Sequence, residues 1–298
     1  DASSGRKELA DWLTDPNTSA GALLARVIAN RVWQHHFGEG LVQTPSNFGL
    51  SGTPPTHPEL LEFLARYLIE HNWSLMDLHR LILSSKTYQL ASHTDALNET
   101  KDPANRLYWR HNRRRLEAEV IRDSMLLVSG KILRYRPGPH PFPAIEDWHW
   151  TQHGPFQDVY PSDHRSVYLM TQRFKRHPML GLFDQPDTNT TTGKRTSSTV
   201  PLQSLFLMNN PWIETQSSSF AQRIVENEGR FEERLDRAYN LAFGRNPSSR
   251  EVELLRSYVE QLENDLSGIS SLDVSQGQLM WKSVAKVLLT SNEFLYVD

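Results

Sequence analysis

The chain has 298 residues, a formal net charge of −3 at pH 7 and no cysteine. This length allows one large domain or two interlocked domains, with a core that needs no covalent cross-link. The lack of cysteine excludes disulfides, thiolate metal sites, a cysteine nucleophile and covalent haem attachment within these residues. The small net charge disfavours a nucleic-acid partner, and no apolar run reaches the ~20 residues that span a bilayer.

The amino-terminal third predicts three helices and one ordered loop. Apolar residues at helical spacing predict a helix from about residue 20 to residue 37, and Gly38 is typical of the position just past a helix end. The next segment, LVQTPSNFGLSGTPP, predicts an ordered loop. Thr56 and Ser74 are each followed three positions later by an acidic residue, a capping-box spacing that predicts two helix starts. The short connection between these helices predicts an antiparallel hairpin.

The rest of the chain also predicts mainly helices. One helix is predicted from Asn112, with an apolar stripe that reaches Val128, and Gly130 is expected to end it. Weak alternation over residues 166–171 predicts a short strand. A helix over residues 201–220 and three later helices complete the series, and the spacing of Ser248 and Glu251 predicts a capping box at the start of one of them.

The predicted fold is therefore mainly α, with about nine helices, one long irregular segment rich in aromatic residues and proline, and at most a minor β element. We expect a single helical domain over residues 1–298. The alternative divides it into an amino-terminal helical half, the irregular segment and a carboxyl-terminal helical half, at residues 1–133, 134–200 and 201–298.

A series of sequence blocks, spread over nearly the whole chain, resembles one known family. In chain order they are NRVWQHHFGEGLVQTPSNFG, PTHPELLEFLA, WSLMDLHRLILSSKTYQ, NRRRLEAEVIRDSMLLVSG, HRSVYLMTQR, LFDQPDTNTTTGKRTSSTVPLQSLFLMNN and AYNLAFGRNPSSRE. Together they resemble the planctomycete DUF1553 family, also called PSD1. The ordered set is far more specific than any single block.

The resemblance implies a context for the chain. Members of this family are the carboxyl-terminal part of large exported proteins, often behind a DUF1549 region and sometimes with a c-type cytochrome domain. It thus implies an exported or periplasmic location and a DUF1549-type companion domain as partner. The opening residues, DASSGRKELADWL, lack the apolar core of a signal peptide and are typical of a piece of a longer chain. No assigned activity and no catalytic residue come with the resemblance, and without C-x-x-C-H any haem role would be indirect.

Trp33, His36 and His57 are the candidate ligand-binding residues of the amino-terminal half. His35 and His36 are neighbours, which point about 100° apart on a helix and cannot both bind one ion. Structural packing is the favoured interpretation for His36 and Trp33. For His57, a hydrogen bond at a helix start is favoured over a role as ligand or base.

Arg115, Glu119 and Arg122 form a charged cluster on the helix predicted from Asn112. Their spacings of four and three positions favour ion pairs along that helix. They also lie beside the apolar stripe, where charges are buried only if they are paired. A polar cavity is the alternative, with Arg115 as a candidate ligand-binding residue and Glu119 as a candidate catalytic residue.

The irregular segment holds the most reactive set of side chains. Its candidate catalytic residues are His153, Asp163 and His164, and its candidate ligand-binding residues are Gln152 and Arg165.

A metal site is the alternative interpretation of the same segment. His149 and His153 have the four-residue spacing of a helical metal pair, and acidic residues lie nearby. The surrounding prolines and glycines argue against a helix there, and such loop clusters mostly form hydrogen bonds. Neither a metal nor another cofactor is therefore predicted.

The segment DTNTTTGK, which begins at Asp187, predicts a polar loop with Asx turns. It lacks the glycine and the glutamate of an EF-hand calcium loop. Lys194 and Arg195 lie beside hydroxyl groups and could hold an anion, so Arg195 is a candidate ligand-binding residue. The chain has no G-x-x-x-x-G-K, G-x-S-x-G, G-x-G-x-x-G or H-E-x-x-H motif.

Two functions remain open at this point. The first is a non-catalytic binding or scaffold domain, in which the loops after Gly38 and around TQHGPF would hold a glycan, a peptide or the DUF1549 region. The alternative is an extracellular hydrolase of polysaccharide, or an accessory domain to a cytochrome-linked redox system. A hydrolase needs two carboxylates, or a histidine and a carboxylate, that converge in a pocket. No complete catalytic signature is present, so the sequence does not decide whether the chain is an enzyme.

Overall fold

A computed structural model describes residues 4–139, 144–147, 160–173, 176–266 and 276–297. Within these ranges the chain forms thirteen α-helices and one sheet of two short strands, which confirms the mainly α class with a minor β element. The expected number of about nine helices is too small, because turns divide long apolar patterns and several helices are only one or two turns long. No helix in the described ranges is both long and apolar enough to cross a membrane.

The helices are α1 (Arg6–Thr14), α2 (Ser19–Phe37), α3 (Pro58–Glu70), α4 (Leu75–Leu83), α5 (Ala96–Lys101), α6 (Ala118–Val128), α7 (Pro178–Leu182), α8 (Pro201–Asn209), α9 (Pro211–Val225), α10 (Phe231–Phe243), α11 (Ser249–Leu266), α12 (Gln276–Leu289) and α13 (Asn292–Leu295). The strands are β1 (Arg114–Arg115) and β2 (Tyr296–Val297). Two 3₁₀ helices cover Ile145–Asp147 and Ser166–Tyr168.

Contacts divide the chain into two compact units, residues 1–114 (unit 1) and residues 115–297 (unit 2). Each unit has its own cluster of buried apolar side chains. Each therefore has the first requirement of a stable fold, a core of its own.

Unit 1 packs α2 against α3 and α4. The predicted first helix is confirmed, and it ends where Gly38 adopts a φ of 83° and donates its backbone N–H to the Gln34 carbonyl at 2.8 Å. Glycine takes this left-handed conformation without a steric penalty, so it terminates the helix. The buried apolar residues of the unit are Ala29, Val32, Trp33, Phe37, Leu41, Val42, Leu61, Leu64, Leu68, Leu78 and Ile82.

The loop after α2 is held by Asn30, a fully buried side chain of that helix. The Asn30 amide oxygen accepts the N–H of Val42 at 2.8 Å, and its amide nitrogen donates to the Val42 carbonyl at 3.1 Å. A Cβ atom at Gly40 would come within 2.6 Å of the Asn30 side chain. The loop is ordered because one helix side chain supplies the hydrogen bonds that its backbone would otherwise lack.

The two predicted capping boxes of unit 1 have different outcomes. Ser74 caps α4 as predicted, since its hydroxyl accepts the N–H of Asp77 at 3.3 Å. The prediction at Thr56 is wrong, because His57 is the residue before α3 and makes no side-chain cap bond. The N–H of Thr56 instead donates to the Leu41 carbonyl at 2.9 Å, which ties the helix start to the preceding loop.

The helices of unit 2 pack around α9 and α12, whose facing sides form the centre of the core of this unit. Ile121 and Met125 of α6 join this core, so the opposite face of α6 points away from it. Fully buried side chains around them include Ile213, Phe220, Ile224, Leu235 and Trp281.

The start of α6 differs from the prediction. The helix begins at Ala118 rather than at Asn112. The residues just before it are extended, and the N–H of Leu116 donates to the Leu295 carbonyl at 2.8 Å. Because those backbone groups already pair with the carboxyl-terminal segment, they are not available to an earlier helical turn.

The predicted strand over residues 166–171 is wrong, because a 3₁₀ helix begins this stretch at Ser166. The Asp123 carboxylate accepts the N–H of Ser166 at 2.8 Å and its hydroxyl at 2.7 Å. The backbone donor of Ser166 therefore bonds to a side chain of α6 and not to a neighbouring strand.

The helix predicted over residues 201–220 is in fact two helices. Asn210 caps α9 by accepting the N–H of Trp212 at 2.9 Å, and Pro211 has no N–H to continue α8. The predicted capping box of α11 is confirmed, since Ser248 and Glu251 each accept the backbone N–H of the other, at 3.3 and 2.7 Å.

Candidate functional site

A cleft of about 770 Å³ runs along the outward face of α6 in unit 2. The face of α6 that lines it carries Glu119, Val120, Asp123, Ser124 and Leu127. We call it the α6 cleft, and its other lining residues are Glu117, Ile132, Arg134, Arg165, Ser166, Val167, Leu169, Met170, Thr171, Gln172, His177, Leu180, Gln185 and Arg195.

The cleft is supported by Arg122, a buried cation that is only 3% exposed. The Arg122 guanidinium donates to the carbonyl of His164 at 2.9 Å and to that of Ser162, and it reaches the Ser166 hydroxyl at 3.2 Å. Burial lowers the pKa of Arg122, whereas Asp123 and Asp163 oppose the decrease. These bonds fix an irregular segment against α6, as a buried charge requires.

One part of the cleft lining is a cluster of two carboxylates and one arginine. Arg195 contacts the Glu119 carboxylate at 2.6 Å and the Glu117 carboxylate at 3.5 Å. The ion pairs predicted along the helix, between Arg115 and Glu119 and between Glu119 and Arg122, are therefore wrong. Arg115 precedes α6, so helical spacing does not apply to it. Arg122 instead donates to the carbonyls of Ser162 and His164.

Arg115 holds the segment that brings Arg195 to the cleft. Its guanidinium bonds to the Asp184 carboxylate and to the Ser198 carbonyl, and it donates to the Gln203 side-chain oxygen at 3.0 Å. The N–H and the hydroxyl of Ser198 both donate to Asp184 at 2.8 Å. Burial alone would raise the pKa of Asp184, but these hydrogen bonds and the Arg115 charge outweigh burial and lower it.

His177 adds a half-buried imidazole to the lining. It precedes α7, and its ring nitrogen Nδ1 lies 3.5 Å from the N–H of Leu180. Burial lowers the pKa of His177, and the nearby positive charge of Arg122 adds to the decrease.

Arg134 and Arg165 are the two exposed cations of the lining. Neither side chain forms a hydrogen bond or an ion pair with any residue in the described ranges. Their guanidinium groups therefore differ from that of Arg195, which Glu119 already binds.

A second cleft, of about 540 Å³, is lined by other residues of the same irregular segment. Asp163 and His164 line it, together with Leu133, Tyr160 and other residues of this segment. The Nδ1 atom of His164 lies 3.0 Å from the Ser162 hydroxyl, and its Nε2 atom is buried without a partner in the described chain.

Trp33, a candidate in unit 1, is a core residue. Its indole N–H donates to the Tyr108 hydroxyl at 2.8 Å, and its ring stacks on Phe37 at a centroid distance of 4.1 Å. It is only 4% exposed, so it offers no surface to a ligand.

The two histidine candidates of unit 1 also have partners within the unit. The Nε2 atom of His36 lies 2.8 Å from Nδ1 of His79. Burial lowers the pKa of His36, and the nearby His79 and Arg114 add to the decrease. The Nδ1 atom of His57 lies 3.0 Å from the Thr56 hydroxyl, and its side chain makes no cap bond to the backbone of α3.

Five of the unit 2 candidates line one of the two clefts, whereas Arg115 lines neither. Glu119, Arg165 and Arg195 meet at the α6 cleft, whereas Asp163 and His164 line the second one. Gln152 and His153 lie outside the described residues, as does His149, the other histidine of the four-residue spacing.

Sequence analysis did not identify Arg134, Asp123 or His177 as residues of the site. Arg134 follows α6 by a few residues in an irregular segment, which was the only signal for it. No pattern in the sequence indicates that Asp123 holds Ser166.

The loop that begins at Asp187 forms the predicted Asx turn. The Asp187 carboxylate accepts the N–H of Asn189 at 2.9 Å and pairs with Arg176 at 2.7 Å. Among the described residues, no group of three or more histidine, aspartate or glutamate side chains could hold a metal ion.

Comparison with known proteins identifies a family. A family model described as PSD1, protein of unknown function (DUF1553), matches residues 5–259. No curated protein and no solved structure matches the chain.

Proposed function

The chain belongs to the PSD1 (DUF1553) family, whose function is unknown, and on that premise we propose that it is a non-catalytic binding domain whose α6 cleft holds a segment of a partner protein. The observation that carries this proposal is the composition of the cleft. It combines aliphatic side chains, amides and cations in one open groove. Such a mixture suits an extended peptide, which presents backbone hydrogen-bonding groups and alternating side chains.

Exposed aliphatic side chains support the proposal. Val120, Leu127 and Val167 line the cleft, and Val167 is 72% exposed. Apolar groups that cluster in an exposed groove are typical of interaction sites. Gln185 adds an amide group that can pair with a peptide backbone.

A peptide is favoured over a glycan as the ligand. The described lining of the α6 cleft contains no phenylalanine, tyrosine or tryptophan ring on which a sugar could stack. The resemblance described above names the DUF1549-type companion domain of an exported protein as the first partner to test.

The test is selection of ligands from a displayed library of random linear peptides. We expect peptides that bind the wild type and lose most of their affinity for Val167→Glu, since this change replaces an apolar contact with a charge. Leu254→Glu is the matched control, because Leu254 is 60% exposed on α11 and does not line the cleft. Equal binding to the wild type and to Val167→Glu would exclude the cleft as the site, and no enrichment over the bare support would exclude peptide binding. Retention of a polysaccharide that is lost only in Val167→Glu would assign a glycan instead.

A polysaccharide hydrolase is the second candidate, favoured by one observation. Glu117, Glu119 and Asp123 bring three carboxylates to one cleft, and glycoside hydrolysis uses a pair of carboxylates. In that case the wild type would release new reducing ends from a polysaccharide panel and Glu119→Gln would not. If the wild type releases none, this candidate is excluded.

A further inference from the structure

We propose that Arg134 and Arg165 form one oxyanion site in the α6 cleft, and that this site takes the carboxylate of an aspartate or glutamate in the bound segment. The proposal rests on the proposed function, because it names a chemical feature of the ligand in the same cleft. It is carried by the placement of the two arginines, by their lack of partners among the described residues and by the charges around them.

The two arginines are placed side by side by the backbone. Leu133 and His164 form a parallel bridge, in which the N–H of Leu133 donates to the Asp163 carbonyl at 2.8 Å. The residues that follow, Arg134 and Arg165, are therefore in register on neighbouring segments. Side chains at matching positions of paired segments lie on the same side and within about 5.5 Å at Cβ.

The lining of the two clefts agrees with this register. Leu133 and His164 both line the second cleft, whereas Arg134 and Arg165 both line the α6 cleft. Consecutive residues of an extended segment point to opposite sides, so the bridge directs both guanidinium groups into one groove.

The pair has no counter-ion within the described chain. Like charges on directly opposite positions destabilise a paired segment unless another charge compensates them. The carboxylates that share the cleft already have partners: Glu117 and Glu119 bind Arg195, and Asp123 binds Ser166. A ligand carboxylate would thus compensate the repulsion between the two guanidinium groups, and each guanidinium could donate paired hydrogen bonds to it.

The backbone that carries the pair is fixed before any ligand binds. Arg122 donates to two carbonyls just before Arg165, and Ser166 just after it is held by Asp123. Ordered backbone on both sides of Arg165 lowers the entropic cost of binding.

The surrounding charges favour a single carboxylate over a polyanion. Glu117 and Glu119 share one arginine in the same cleft, so their region keeps an excess negative charge. A nucleic acid or another polyanion would be repelled there, whereas an isolated acidic side chain would not.

The first arm of the test uses sodium acetate as a probe. Its binding is monitored through the NMR signals of the arginine side chains. We expect saturable shifts of the Arg134 and Arg165 N–H signals in the wild type. Arg134→Gln/Arg165→Gln should abolish saturable acetate binding. The control Arg136→Gln/Arg250→Gln removes the same charge from two exposed arginines outside the cleft and should keep it. Saturable binding of equal strength in both double variants would overturn the proposal.

The second arm uses acidic peptides from the library selection and analogues with Asn or Gln at each acidic position. The Arg134→Gln/Arg165→Gln variant should bind the acidic peptides about 10- to 100-fold more weakly and the neutral analogues with unchanged affinity. Arg134→Lys/Arg165→Lys keeps the positive charges but loses the fork geometry of the guanidinium. Its affinity for the acidic peptides should lie between that of the wild type and that of the glutamine variant. The oxyanion site would be refuted, and peptide binding left intact, if peptide affinity is unchanged both when the acidic residue is replaced and when the two arginines are replaced. Acetate binding by the arginine pair without any selected peptide would refute peptide binding and leave the oxyanion site. An unchanged circular dichroism melt establishes that each variant is folded.

Discussion

At the scale of single residues, two buried arginines determine the shape of the candidate site. Arg122 binds the segment before Ser166, and Arg115 binds the segment between Asp184 and Ser198. A guanidinium offers five donors in a fixed plane, so one side chain can hold several carbonyls that have no regular partner. The cost is a charge that must remain paired.

The first prediction concerns the Arg115–Asp184 pair. Asp184→Asn keeps the side-chain shape and tolerates the φ of 68° at this position, but it removes the charge that pairs with Arg115. Because Arg115 is left as an uncompensated buried cation, we expect a loss of about 3 kcal/mol in the free energy of unfolding. Urea denaturation measures the loss.

Asp187→Asn is the matched control for this prediction. Asp187 pairs with Arg176 on the surface, and the variant keeps the Asx turn to Asn189. An exposed pair contributes below about 1 kcal/mol. Equal losses in Asp184→Asn and Asp187→Asn would show that burial of the Arg115 pair has no energetic consequence.

The second prediction concerns pH. Burial lowers the pKa of His36, His111 and His177 from the ordinary value of 6.5, so the unfolded chain binds their protons more readily than the folded chain does. Their contribution to stability is complete above pH 6.5 and falls as the pH decreases below it. Carboxylates such as Glu214, with a pKa lowered from 4.5, lose their contribution only at more acidic pH.

Denaturation series between about pH 7.5 and pH 5 measure this effect. The free energy of unfolding should fall as the pH is lowered in the wild type, and it should fall less steeply in a variant with glutamine at the three histidine positions. A slope that is the same in both proteins would contradict the assignment to these histidines.

At the scale of elements, the helices were predictable where one apolar stripe meets a local stop signal. Residues 20–37 followed by Gly38 met that condition, and Ser248 with Glu251 did so for α11. The prediction was wrong where distant partners take up local groups. Leu116 pairs with the carboxyl-terminal segment, and the Thr56 backbone bonds to an earlier loop. No local pattern contains that information, because spacing describes neighbours along the chain only.

The third prediction concerns the link between α2 and the loop after it. Asn30→Ala removes two buried hydrogen bonds to Val42 and should lower the free energy of unfolding by about 2 to 3 kcal/mol. Asn98→Ala in the exposed helix α5 is the control, with an expected change within about 0.5 kcal/mol. Thermal or urea denaturation compares the two variants, and equal effects would show that Asn30 does not hold the loop.

At the scale of the whole molecule, each of the two units has a core that its own residues complete. The cluster around Trp33 uses side chains from residues 1–114, and the cluster around Trp281 uses side chains from residues 115–297. Each unit therefore has an apolar core and a length within the usual range for an independent domain.

The fourth prediction is that residues 1–114 fold when produced alone. We expect a helical circular dichroism spectrum and cooperative thermal unfolding, because the helices α2, α3 and α4 bury one another's apolar faces. Trp33→Ala in the same fragment should abolish the cooperative transition, since it removes a large side chain from this core. A wild-type fragment without a cooperative transition would contradict the prediction.

The candidate site was less predictable than the fold. Glu119, Arg165 and Arg195 could be named from their chemistry, but their convergence depends on Arg122 and Asp184, which fold distant segments onto α6. Arg134 could not be found, because nothing in the sequence indicates that Leu133 pairs with His164. The site is a product of long-range hydrogen bonds, which periodicity does not reveal.

The bridge between Leu133 and His164 also restricts how this protein can vary in length. Its two flanking arginines face one cleft only while both segments keep their register. Inserting a single residue between Gly130 and Arg134 would exchange the sides, so that a leucine would enter one groove and an arginine the other. Insertions and deletions in related chains should therefore be rare in this short stretch, even though it has no regular secondary structure and lies next to an irregular region.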